Sequence, residues 1–312
     1  MGVPEPPPSP PYPKSVAEFD RYFPSDDACR EYLTKLRWPT GFCCRKCGVK
    51  AEPWGMANGL LRCRSCKSLN SVLAGTIFQD TKQPLRLWFL AAWQVTCHKS
   101  GVSALGLQRA LGLNSYKSAW TWLHKFRKAM VRPGRDRLHG LVEVDETLIG
   151  APHVGRRGRS DDKTIVVVAA EDVDGHIGRI RLATVPDASS DSLMPFVTCA
   201  VEAGSTVRTD GWTGYNPLES LGYGHVVHKL LGRPKSDTHK LLPHVHLIAS
   251  LLKRWLLGTH HGGVDEEYLD YYLDEFTFRF NRRTSASRGL LFYRLLQQAV
   301  QVEPMPYRDL TL

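Results

Sequence analysis

One run of ten residues, Leu141-Val-Glu-Val-Asp145-Glu-Thr-Leu-Ile-Gly150, constrains the fold more than any other stretch of the chain. Side chains on a strand alternate between its faces, so Val142 and Val144 fall on one side and Glu143 and Asp145 on the other, with Gly150 ending the run. A carboxylate is thereby fixed on a rigid element. A single strand acid is ordinarily solvated or a cap, so the weight of the reading falls on what the rest of the chain brings to Asp145.

Downstream, Gly155-Arg-Arg-Gly-Arg-Ser160 reads as a flexible basic loop, and an apolar strand follows from Thr164 to Ala170. Asp172 to Gly175 is a turn, Arg179 to Val185 a further strand, and Ser190 to Gly204 helical. The segment Thr206-Val-Arg-Thr-Asp210 is then a short strand ending at a second aspartate, with Gly211 turning the chain. Three strands, a helix and a fourth strand, two of them bearing aspartate, is the order of a ribonuclease-H-like α/β unit, a mixed sheet flanked by helices. Its expected span is 137–300, with a tail at 301–312.

Two Cys-x-x-Cys pairs, Cys44/Cys47 and Cys63/Cys66, are separated by fifteen residues. Two such knuckles place four thiolates around a structural Zn2+, and without it so small and polar a segment has little to hold it folded. Cys43 competes with Cys44, but Cys44 keeps the two-residue gap. Ahead of the ribbon, residues 1–14 are proline-dense and expected to be extended, with no core to join. Ser15 to Leu36 reads as short helical pieces with a start signal at Ser25, and 15–80 forms one expected domain.

A helical segment, 81–132, comes next. Leu85, Trp88, Phe89, Ala92 and Trp93 share a face, a second helix covers Val102 to Leu111, and Gly112 breaks it. A third, capped by Asn114 or Ser115, has an apolar face of Tyr116, Ala119, Trp120, Leu123, Phe126 and Met130. Helix, glycine turn, helix with Lys117, Lys125, Arg127 and Lys128 fits a DNA-binding helix-turn-helix; a plain helical bundle is the alternative. Lys plus Arg number 41 against 31 Asp plus Glu, a net +10 with a pI near 9.2, which favours a polyanionic partner. No apolar run is long enough to span a bilayer and no signal-peptide pattern opens the chain, so an intracellular protein without a membrane partner is expected.

Seven of the twelve histidines lie between His225 and His261, where an amphipathic helix begins near His244 or Val245 and runs to Leu257. Steps of four, three and four residues put His246, Ser250, Lys253 and Leu257 on one sector of it. Here the chain resembles bacterial DDE-type insertion-sequence transposases, in the zinc-ribbon group numbered fifteen ninety-five (ISXO-two-like). The resemblance runs from Trp38 to Gln298 and is carried by the ribbon followed by Ala74-Gly-Thr-Ile-Phe78, Val144-Asp-Glu-Thr147, Thr209-Asp-Gly-Trp-Thr-Gly-Tyr215, Leu252-Lys-Arg-Trp-Leu-Leu-Gly-Thr259 and Tyr272 to Arg283.

The resemblance implies metal-dependent cleavage of DNA 3′ ends at the terminal repeats of a mobile element, followed by strand transfer. Its site residues carry over as Asp145, Asp210 and position 246, with Lys253 two helical turns on. Position 246 is histidine where the family's usual third residue is an acid, so Mn2+ is expected to compete well with Mg2+ there. Glu275 and Glu143 are alternative third ligands. Arg156, Arg157, Arg159, Arg279, Arg282 and Arg283 are expected on the DNA backbone, and Trp212 and Tyr215 on an unpaired base or in the core. The resemblance further implies double-stranded DNA as partner, a homo-oligomeric synaptic complex and a bacterial cytoplasmic, nucleoid-associated location. A DNA-binding relative without nuclease activity and a structure-selective nuclease are the competing functions.

Overall fold

The computed structural model describes residues 10–132, 134–150, 163–228 and 241–311. They form two compact units, one from 1–132 with 285–312 and one from 133–284.

The first unit opens with α1 (Val16–Tyr22) and α2 (Asp26–Arg37), whose N-cap residues Ser15 and Ser25 accept the Glu18 and Ala28 amide N–H groups. A three-stranded antiparallel ribbon of β1 (Trp54–Gly55), β2 (Leu61–Arg62) and β3 (Leu69–Asn70) follows. Next come α3 (Leu85–Cys97), α4 (Ala104–Leu111) and α5 (Tyr116–Ala129). Gly112, at φ +64°, closes α4 in the left-handed conformation that favours glycine. Trp122 stacks on Trp88 at 4.0 Å, while Tyr116, expected on the apolar face of α5, is exposed.

The last helix, α9 (Arg288–Ala299), was expected in the catalytic unit and lies instead in the first. The cause is aromatic packing: the Phe292 ring sits 5.8, 5.7, 5.9 and 5.6 Å from those of Phe19, Phe23, Phe89 and Trp93. The flanking tails also differ from expectation. Pro13 is buried, and its carbonyl lies so near Gly289 that a Cβ there would come within 1.7 Å. Val302, Met305 and Leu310 are buried as well.

The second unit is built on a five-stranded sheet of β4 (Leu141–Ile149), β5 (Thr164–Val173), β6 (His176–Val185), β7 (Thr206–Thr209) and β8 (Gly224–Val227). The order is β6-β5-β4-β7-β8; β5 is antiparallel to both of its neighbours β6 and β4, and β7 and β8 run parallel to β4. This mixed order, with helices on both faces, is a ribonuclease-H-like sheet. β5 is buried on both faces. Val167 and Ala169 join Val142 and Val144 beneath α6 (Ser190–Ala200), while Val166, Val168 and Ala170 face α7 (Pro243–His260) and α8 (Leu269–Phe280). No helix among the described residues is long and apolar enough to cross a membrane.

Because Phe292 fills the centre of the first unit's aromatic core, Phe292→Ala is expected to cost about 3–5 kcal/mol. The measurement is the urea midpoint of unfolding; an unchanged midpoint would remove α9 from that core.

Candidate active site and zinc centre

The ribbon brings Cys44, Cys47, Cys63 and Cys66 together with all four sulfurs within 4.8 Å of one another. Each pair sits on a tight knuckle. The Gly48 N–H donates to the Cys44 carbonyl, and in the second knuckle the Lys67 N–H donates to the Cys63 carbonyl. Gly48 and Lys67 occupy equivalent positions at φ +69° and +61°, so the second knuckle accepts a left-handed lysine where the first has glycine. Across the knuckles, Cys44 to Cys66 and Cys47 to Cys63 are both 3.7 Å. A zinc tetrahedron with sulfur bonds of ~2.3 Å has edges of ~3.8 Å, so the four residues fit the ion. The Ser68 hydroxyl lies 3.3 Å from Cys44 Sγ and 3.1 Å from Cys66 Sγ, bringing the first thiol down to about 5 and lowering the second. Buried Asn70 donates to Cys44 Sγ and accepts from the Arg45 N–H, bracing the site from behind. Cys43 is outside the four-sulfur group, its sulfur 3.5 Å from the Gly48 carbonyl.

In the second unit, the parallel pairing of β4 with β7 aligns Leu141 with Thr206, Val142 with Val207 and Glu143 with Arg208. Two residues further along both chains stand Asp145 and Asp210, the second just past the end of β7. The Asp210 carboxylate accepts the Trp212 N–H at 2.9 Å in a turn that starts with Gly211 at φ +88°. Behind the sheet, α7 buries Val245, Ile248, Leu252 and Leu256 and turns its other side outward, with Ser250, Lys253 and Leu257 exposed. His246 stands at the border of that face, its Nδ1 3.8 Å from Asp145 Oδ2.

Electrostatics mark this place. Burial, followed by the nearby Glu146 and Asp210 carboxylates, pushes the Asp145 carboxyl up to about 8. Burial likewise raises Glu146, which projects to the opposite face beside the buried Tyr215 and still interacts with Asp210. Three carboxylates crowded into partly desolvated space are a donor set that a divalent cation relieves, so Asp145, Asp210 and His246 suit Mg2+ or Mn2+. Among the described residues these three do not converge within 4.8 Å as the cysteines do. Glu146 had no role in the sequence reading, although its place beside Asp145 in the Val144 to Thr147 motif was a signal. Lys163 was also missed. It lies close enough to Lys253 that burial and then their mutual repulsion lower the Lys253 ammonium.

Other expected site residues are placed differently. Glu143 is fully buried and bound to the start of α7, and Glu275 is 1% exposed on α8 outside any converging ligand group of the described residues. Arg127 is 1% exposed, beside His124, and so is not on a DNA-facing surface; four residues after Leu123, it shares that residue's buried side of α5. Lys125 is half-buried, lying over Trp88 with its ammonium lowered by burial, and Lys128 is half-buried too. Only Lys117 of that set is exposed, its Nζ 3.6 Å from the Tyr307 ring centroid. Arg279 is buried, Arg282 donates to the Phe278 carbonyl, and Arg283 donates to the Ile177 and Gly178 carbonyls of β6. Arg279 and Arg282 are thus engaged in the fold, whereas Arg283 makes these contacts from an exposed position. Arg156, Arg157 and Arg159 lie outside the described residues. Tyr215 belongs to the core, whereas Trp212 is 50% exposed with its indole N–H held by the Ala188 carbonyl.

The chain thus carries a four-cysteine ribbon ahead of a ribonuclease-H-like sheet with Asp145 and Asp210 at neighbouring strand positions. Residues 137–281 match the ISXO2-like transposase domain and residues 24–68 the transposase zinc-ribbon domain, both of the IS1595 group. The chain therefore carries both the zinc-ribbon domain and the ISXO2-like domain of IS1595 transposases. It is 28% identical over 279 residues to an uncharacterized protein in transposable element ISH50 of Halobacterium salinarum, covering 82% of this chain and 91% of that one. The structure of a pre-cleavage Mos1 transpososome aligns with 68% of this chain and 75% of its own at 13% identity and a TM-score of 0.29, too loose a likeness to bear on the fold.

Two outcomes are expected of these sites. Cys44→Ser should lose zinc and unfold the ribbon, while Cys43→Ser keeps its zinc, as measured by metal analysis of the purified chains. For Asp145, the folded pKa is raised above the usual 3.8, so its stabilising effect is complete below about pH 4 and is lost as pH rises towards about 8. Without added Mg2+ or Mn2+, Asp145→Asn should therefore be more stable than the parent at pH 8, on the order of a few kcal/mol, and close to it at pH 4. Parallel urea titrations at the two pH values check this; an equal gap at both would disprove the shift.

Proposed function

We propose that this chain cuts DNA at the terminal repeats of a mobile element and joins the freed 3′ ends to a target, with Asp145, Asp210 and His246 as the metal ligands. The observation that carries this reading is the β4/β7 register, which sets two aspartates side by side, with the His246 imidazole 3.8 Å from one of them. Bound there, Mg2+ or Mn2+ would act as a Lewis acid, activating the attacking water or 3′-hydroxyl and neutralising the leaving oxygen. The protein's part is to hold the reacting groups. Asp145 and Asp210 repel one another when both are ionised; without metal a proton on Asp145 relieves this, and a bound cation would take that proton's place, which makes the ionised pair metal-dependent. His246 contributes a neutral nitrogen in place of a third carboxylate, so the site carries one negative charge fewer and tolerates Mn2+ well. Lys253, on the exposed side of α7, and Lys163 beside it present two ammonium groups to a phosphate near the cut. The exposed Trp212 ring, anchored through its N–H, offers a stacking surface next to Asp210.

The ribbon supplies a further surface for DNA. From residue 38 to 79, Glu52 is the one acid against Arg45, Lys46, Lys50, Arg62, Arg64 and Lys67. Three of these cations gather on the exposed Trp54 ring, with Arg62, Arg64 and Lys67 at 5.9, 5.7 and 4.5 Å from its centroid. This fixes positive charge on one face, as backbone contact with a duplex requires. Two element ends must be held together for joining, so a homo-oligomeric synaptic complex is part of the proposal.

The test uses the zinc-loaded chain and DNA carrying an element end. Nicking is expected in Mg2+ or Mn2+, and Asp145→Ala or Asp210→Ala should reduce it by at least about a hundredfold while DNA binding persists. His246→Glu should shift the ratio of Mn2+- to Mg2+-supported rates towards Mg2+. Nicking by both alanine variants would exclude these ligands. Binding without any nicking by the parent chain would leave a DNA-binding relative, and nicking without strand transfer a structure-selective nuclease.

A further inference from the structure

Directly beneath the proposed ligands lies a second set of charged groups. Glu143, Arg208 and His244, on β4, β7 and α7, each stand two residues before Asp145, Asp210 and His246, with Asp210 one residue past the end of β7. Glu143 is fully buried, and its Oε2 accepts the backbone N–H groups of His244 at 2.8 Å and Val245 at 3.1 Å. Its Oε1 lies 3.4 Å from Arg208 Nη1, and the same nitrogen is 3.6 Å from Asp172 Oδ2 on β5. Asp172 Oδ1 in turn is 3.6 Å from His244 Nε2. The ligand atoms of Glu143, Asp172 and His244 converge within 4.8 Å, but the Arg208 guanidinium already bridges the two carboxylates. The cluster has its own cation and needs no metal.

We infer that this network is a positioning device: Glu143 clamps the first turn of α7 to β4, and Arg208 clamps β4 to β7, so that His246, Asp145 and Asp210 face one another. The physical case has three parts. The first N–H groups of a helix have no partner inside it, so a carboxylate that accepts two of them fixes both the height and the rotation of the helix start. His246 follows one residue later, about 100° and ~1.5 Å further along the helix, so it inherits that placement directly. Two residues along a strand return to the same face about 6.8 Å away, so the clamp is one strand repeat below the ligands, near enough to set their spacing without occupying their place. Side chains that orient metal ligands from behind typically change metal affinity by about 10–100-fold when altered. Glu143, Arg208 and His244 are positioning residues, with no contact to the reacting atoms.

The inference rests on Asp145, Asp210 and His246 being the cation site, and the experiment separates the two. Mn2+ is titrated into the zinc-loaded, DNA-free full chain, with binding read by calorimetry and by the rise in Tm. Glu143→Gln keeps the shape and one acceptor oxygen but loses the charge; it should weaken Mn2+ binding about 10–100-fold and lower the metal-free Tm. Arg208→Lys, which keeps the charge but on a shorter side chain that withdraws it from the point where one guanidinium nitrogen spans Glu143 and Asp172, should weaken Mn2+ in the same direction and carries the comparison if Glu143→Gln fails to fold. A lowered metal-free Tm with parental Mn2+ affinity in the folded variants would show a merely structural role and overturn the inference. Mn2+ binding that survives both Asp145→Ala and Asp210→Ala, or no binding by the parent chain, would overturn the cation site itself.

Discussion

The parallel pairing of β4 and β7 is the constraint on which the second unit depends. Backbone hydrogen bonds set its register, and a slip of one residue would turn every side chain of a strand to the opposite face. In the observed register Asp145 and Asp210 come side by side while Val142, Val144 and Val207 fill the core on the reverse side. The apolar face thus secures the acidic one. Burying those valines stabilises the pairing that holds Asp145 in a partly desolvated place, and its raised carboxyl reflects that burial first and the neighbouring Glu146 and Asp210 second.

The two units solve their stability problems by different means. The second has three long strands, with the central β5 packed into an apolar cluster on each face of the sheet. The ribbon of the first has strands of two residues and a core of Phe42, Cys44 and Cys63 with Trp38, Leu61 and Cys66 packed against it. That is too little apolar surface to offset chain entropy, so the fold there is tied to its metal. Arg37 of α2 ties the ribbon's exit to the helices by donating to the carbonyls of Ser71, Val72 and Ala74.

Much of this was legible in the sequence where the signal is local. Alternation located β4, an apolar run β5 and the flanking turns β6 and β7, cysteine spacing located the knuckles, and the four-three-four spacing on α7 separated His246 and Lys253 from the buried Val245 and Leu252. β8 escaped because Gly-His-Val-Val is short and largely exposed, with neither alternation nor a core to reveal it. Glu143 could not be distinguished from a ligand by strand parity, since the groups that occupy it are 65, 101 and 102 residues away. Arg127 is a different case. Its spacing from Leu123 already pointed inward, and its charge was weighed above that spacing. Phe292 belongs with aromatic residues some two hundred positions and more earlier, a partnership no local pattern encodes.

The return of α9 to the first unit has a consequence for biosynthesis. The second unit is an insertion within the first, so on the ribosome the aromatic core around Phe19 stays open until Arg288–Ala299 has been translated. The sheet carrying Asp145 and Asp210 is fully synthesised before that helix exists, which reverses the usual amino-terminal-first order of domain folding. A frameshift late in the reading frame would therefore strip a helix from the unit that carries the cysteine ribbon and spare the acidic sheet.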